Sequence, residues 1–206
     1  HKIENRRSKK LILSTVSLVM VITNIVMAFV FSDEPVAVFA LSIYMMTMSV
    51  AAGRWAKELL LPYVYLVPEK SSKKLFHILR EQIPNLTAES ILCFLPVYFI
   101  LHLSIIETVA MILARITFGF LFIGVNLVLQ RFMGSNDKKL LVVSVYFLLV
   151  VAFSIPAIIA GAVVGMYLPF NMELSYLSMA AVNIPVSAMV IFCCRNILEY
   201  ADYNNK

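Results

Sequence analysis

The sequence is short of charge. Only 14% of its 206 residues are Asp, Glu, Lys or Arg, against about 25% in an average globular domain. It holds three cysteines, and Cys93, Cys193 and Cys194 all fall inside or at the end of apolar runs. That leaves no disulfide framework and no metal-ligand spacing. The three histidines, His1, His77 and His102, are scattered, and no His-Glu-x-x-His occurs, so no metal centre is expected. There is no Gly-x-x-x-x-Gly-Lys-Ser/Thr loop, so any ATP must be bound elsewhere. No Ser-His-Asp set and no paired carboxylates fall at membrane depth, which argues against an intramembrane enzyme. The runs lack the alternation of a membrane barrel. The start, HKIENRRSKK and then a 21-residue apolar run, has no small-residue cleavage site and is too long for a signal peptide. Nucleic acid is not an expected partner.

What is present is apolar residue, 61% of the chain, with a mean hydropathy of +0.89. Apolar runs of about 18 residues or more can each cross the ~30 Å hydrocarbon core as a helix. In lipid the backbone must satisfy its own hydrogen bonds, so helices are the default. The reading is an all-α polytopic membrane protein in a single domain. Six spans are expected, at about 11–31, 36–52, 86–104, 108–129, 140–166 and 176–194.

Charge orients them. Sixteen of the seventeen Lys and Arg lie in residues 1–10, 53–85, 130–139 and the tail. The turns on the other side carry none, and hold Asp33, Glu34, Glu107 and Glu173. Cytoplasmic loops collect Lys and Arg, so both termini and the 53–85 loop are expected in the cytoplasm.

That loop, Gly53–Asn85, is the longest polar interval in the chain. Pro62, Pro68 and Pro84 divide it, because each fixes φ and removes a donor. Ser72 can cap a helix start. In the helix that follows, Leu75, Ile78, Leu79 and Ile83 form an apolar stripe, with Lys73, Lys74, Arg80 and Glu81 largely off it. About three turns of helix need a surface to lie on. Two surfaces suit it: anionic headgroups of the lipid bilayer, or a soluble motor protein.

Three polar residues fall at membrane depth. Arg115 lies about 12 Å below Glu107 at 1.5 Å per residue. Asn24 and Asn183 count to a similar level. An arginine there is costly unless it snorkels, pairs or faces water. One reading places the three around a cavity or clasp, with Glu107 or Glu173 as counter-ion. The other has Arg115 snorkelling and the asparagines as ordinary interhelical hydrogen bonders. Gly161 and Gly165 form a Gly-x-x-x-Gly in span five that would let a helix approach closely. Cys193 and Cys194 read as ordinary lipid-facing or packed thiols, with palmitoylation near a helix end the lesser alternative.

PYVYLVPEKSSKKLFHIL (Pro62–Leu79) resembles the cytoplasmic-loop signature of a bacterial ABC exporter permease family. Glu4–Arg7 is similar to its basic element ahead of a first span, and ARITFGFLFIGVN (Ala114–Asn126) to a later span. The resemblance implies a type-two permease, of which this chain would be the C-terminal six-span half of a longer protein in the bacterial cytoplasmic membrane. It implies a coupling helix between spans two and three that sits in a groove of a separate nucleotide-binding ATPase subunit, at Pro68, Glu69, Lys73, Lys74, Leu75 and Leu79. It also implies no cofactor on this chain, and a second permease half or a homodimer partner against spans one and five. Two alternatives stand beside it. One is a substrate-binding membrane subunit of an energy-coupled vitamin importer. The other is a membrane scaffold or sensor that transports nothing.

Overall fold

The computed structural model describes residues 15–32, 34–51, 70–133, 139–168 and 171–195. Among these residues it is all-helical. The six helices are α1 (Thr15–Val30), α2 (Pro35–Ala51), α3 (Ser71–Leu101), α4 (Ile105–Met133), α5 (Lys139–Tyr167) and α6 (Met172–Cys193). Helices α3 to α6 are each long and apolar enough to cross a membrane, while α1 and α2 are shorter apolar helices. The chain is a membrane protein.

Short turns pair the helices into three hairpins, α1/α2, α3/α4 and α5/α6. The turn after α3 is tight, and His102 closes it in the left-handed conformation at φ 50°. Glu34, Glu107 and Glu173 mark one end of the bundle, here the acidic end. Lys70, Lys73, Arg131 and Arg195 mark the other, the basic end.

Helix α4 is the centre. Of its apolar stretch 67% is buried, against 28% for α3 and α6 and 22% for α5. It packs on α2, α3, α5 and α6, while α1 lies against α2 and α3. Phe118, Leu121, Phe122, Ile123 and Leu127 of α4 fill the core. Gly124 brings α6 close, since a Cβ there would stand 3.1 Å from Val190.

The structure departs from the sequence reading at α3. That reading separates a surface helix ending near Pro84 from a span beginning at Leu86. The observed helix runs unbroken for 31 residues through both Pro84 and Pro96. Packing accounts for it. Leu75, Leu79, Leu86, Ser90, Phe94 and Val97 are all buried, and their spacing forms one continuous helical stripe. The stripe on the extension is in phase with the stripe on the span, so burial outweighs the donor lost at Pro84. At about 46 Å, α3 is longer than the ~30 Å apolar core. Ser71 at its start is level with Arg195, just past the end of α6. Ser72 is not the cap. Lys70 occupies the N-cap without a side-chain bond, and Ser71 donates to the carbonyl of Arg195 at 2.9 Å.

Candidate functional site

Arg115 lies ten residues into α4, about 15 Å along it, and is fully buried. It does not snorkel. Its Nε donates to Ser42 Oγ of α2 at 2.9 Å. Its Nη1 donates to Ser90 Oγ of α3 at 3.1 Å. Ser90 in turn donates to the carbonyl of Leu86 at 2.7 Å. The third nitrogen, Nη2, is buried without a partner. Neither Glu107 nor Glu173 is the counter-ion; both partners of Arg115 are neutral hydroxyls. A guanidinium is a permanent cation, so this site holds a positive charge whose hydrogen-bond partners are hydroxyl dipoles.

One turn along α3, the carbonyl of Cys93 accepts from Asn24 Nδ2 of α1 at 3.1 Å. Glu89 Oε1 accepts from Ser17 of α1. Asn24, Ser17, Ser42, Ser90, Glu89 and Arg115 therefore form one polar zone, in which α3 joins α1 to α4 and Arg115 joins α2.

Asn183 is not joined to it by any hydrogen bond. It is fully buried in α6, and both atoms of its amide lack partners. Ser175 donates to the carbonyl of Gly161 at 2.6 Å, and a Cβ on Gly161 would collide with Met179. This antiparallel register sets Ser154 of α5 level with Asn183. The hydroxyls of Ser154 and Tyr176 are also buried without partners. Asn183, Ser154 and Tyr176 thus lie outside the hydrogen-bonded zone around Arg115. At the acidic end, the Glu107 carboxylate lies within electrostatic reach of Glu173.

The expected coupling residues divide. Pro68 and Glu69 lie outside the described residues, as does the side chain of Lys74. Leu75 and Leu79 are buried, at 3% and 9% exposure, so they face the protein and not a partner. Lys73 is exposed, and with it Phe76, His77 and Arg80. These four fall at i, i+3, i+4 and i+7, one outward stripe. Gly161 and Gly165 face α6, against Met179 and Ser175.

The sequence reading did not single out Ser17, Ser42, Glu89 or Ser90. Glu89 carried a usable signal, because a carboxylate three residues inside an apolar run is rare. The serines carried none, since hydroxyls are ordinary in membrane helices.

These features define a polytopic α-helical membrane protein with ionisable groups buried at membrane depth. The family model described as "Putative ABC exporter" matches residues 1–201, and the chain belongs to that family. No curated protein and no solved structure matches it.

Proposed function

We propose that the chain is the permease module of an ATP-driven exporter in the bacterial cytoplasmic membrane. It has six spans, and its basic end and both termini face the cytoplasm. Helices α1 and α2 count as spans because the apolar runs at 11–31 and 36–52 extend onto residues 11–14 and 52, outside the described set. The chain is not itself an enzyme and carries no cofactor. A separate nucleotide-binding subunit hydrolyses ATP, and a second permease half or a second copy completes the path. Family membership supports the transporter class. The charge asymmetry supports the orientation.

The observation that carries the mechanism is the continuity of α3. Its exposed stripe of Lys73, Phe76, His77 and Arg80 lies on the turns of α3 nearest the basic end. Its buried part supplies Ser90 to Arg115 and the Cys93 carbonyl to Asn24. A push on the stripe by a closing ATPase dimer reaches the polar zone through an unbroken rod. The coupling element is then the outward stripe of α3, with Leu75 and Leu79 as its footing.

A photoreactive side chain at Phe76, introduced into the intact protein in native membranes, tests this. Capture of a nucleotide-binding subunit from Phe76 but not from Leu79 is the expected result. Capture of lipid alone from Phe76 would leave the chain as a scaffold.

A further inference from the structure

Three helix ends meet at one corner of the basic end. Arg131, near the end of α4, donates from Nη1 to the carbonyl of Cys193 at 2.5 Å, tying α4 to α6. Ser71, at the start of α3, donates to the carbonyl of Arg195 just past α6. The guanidinium of Arg195 lies over the Phe192 ring, 4.4 Å from its centroid. Lys70 and Lys73 flank Ser71. All four cations, Lys70, Lys73, Arg131 and Arg195, are exposed.

Two large apolar rings are exposed beside them, Phe132 at 81% and Phe192 at 62%. Water does not favour that, but the boundary of a bilayer does. Helix α6 has 22 residues, about 33 Å, so it just crosses the ~30 Å core. Arg195 then falls at headgroup level and Phe192 just inside it. Bound carbonyls and the stacked ring hold the two arginines in place, rather than leaving them to sweep the surface.

We propose that this corner is a binding site for an anionic phospholipid. Arg131 and Arg195 take the headgroup phosphate, Lys70 and Lys73 offset the net negative charge, and Phe132 and Phe192 line the first part of its acyl chains. Charge complementarity decides the occupant. A zwitterionic lipid brings its own cation to a site that already holds four. The inference stands whether or not the chain transports anything.

The intact protein, purified in mild detergent, is titrated with phosphatidylglycerol and with phosphatidylcholine, and bound lipid is counted by native mass spectrometry. Phosphatidylglycerol is expected to stay bound where phosphatidylcholine does not. At about 1 kcal/mol per surface cation, Arg195→Gln should weaken retention about five-fold. The double change with Arg131→Gln should weaken it about thirty-fold. Arg80→Gln, about 10 Å along α3 from Lys73, should change nothing. Should the Arg131 variant fail to fold for want of its bond to Cys193, Arg195→Gln alone decides. Equal retention of the two lipids overturns the site. So does equal loss in the Arg80 and Arg195 variants, which would mean a diffuse field. A photoreactive residue at Phe192 that captures a soluble protein in native membranes, and no lipid, would assign the corner to that protein instead.

Discussion

Arg115 and Ser42 meet across two helices, Nε to Oγ at 2.9 Å, with the arginine wholly buried. The cation's two hydrogen-bond partners, Ser42 and Ser90, are both hydroxyls. Bonds to a charged group are worth about 1.5–3 kcal/mol each, chiefly because losing one leaves the charge unsolvated. Ser42→Ala and Ser90→Ala should each destabilise the folded protein by about that much, read from thermal unfolding in detergent. In an Arg115→Met background the same serine changes should cost far less, because an apolar replacement of a buried charge is often neutral or better. If the serine penalties persist in that background, the two residues are not coupled.

Arg115→Met separates structure from function. The variant should fold with stability equal to or above that of the parent, while substrate export falls by at least ten-fold. Transport into inverted vesicles reads this, with protein yield as the folding control. Full export from a well-folded Arg115→Met protein would leave the residue without a functional role.

The single-rod form of α3 predicts a distance. Spin labels at Phe76 and Phe99, both exposed, are 23 residues apart, about 35 Å along one helix. A helix that broke at Pro84 and lay flat would bring them to about 25 Å. Pulsed dipolar spectroscopy distinguishes the two lengths.

The two glycines of span five should answer differently to alanine. A Cβ on Gly161 runs into Met179 in a packed interface, so Gly161→Ala should cost about 1–3 kcal/mol through overpacking. On Gly165 the nearest atom to a Cβ is Ser175 Oγ at 3.5 Å, an ordinary contact. Gly165→Ala should be neutral, or stabilise by about 0.5–1 kcal/mol through helix propensity. Equal effects would mean the register of α5 on α6 is different.

Asn24→Ala should be mild. Its one bond, to the Cys93 carbonyl at 3.1 Å, joins neutral groups, and such bonds between membrane helices average about 0.6 kcal/mol. A loss as large as that of Ser90→Ala would place Asn24 in the charge network itself.

Much of this was legible in the sequence. The apolar runs marked the helices, and the bounds expected for spans five and six are within a few residues of α5 and α6. Counting residues from the helix ends put Asn24, Arg115 and Asn183 near one depth. Depth alone does not say which side of a helix a residue faces, so the count could not reveal that Asn24 joins the Arg115 zone while Asn183 makes no hydrogen bond to it. The break at Pro84 came from weighing one residue's missing donor above the stripe. Leu75, Leu79 and Leu86 were already in phase, and following that phase through the proline would have joined the two pieces. Ser42 and Ser90 had no signal of their own. Their role exists only because α2 and α3 both lean on α4.

That arrangement has a consequence for how the protein is made. Helices α2 and α3 precede α4 in the chain, so Ser42 and Ser90 are synthesised before Arg115. A lone arginine at the centre of an inserting helix costs about 2.5–3.5 kcal/mol on the insertion scale. Here it emerges into a membrane where its two hydroxyls are already waiting. Helix α4 translated after a removed α2/α3 segment should therefore insert less completely than in its natural order, and Arg115→Leu should erase the difference. The order of the chain thus puts both hydroxyl partners ahead of the cation that they hold.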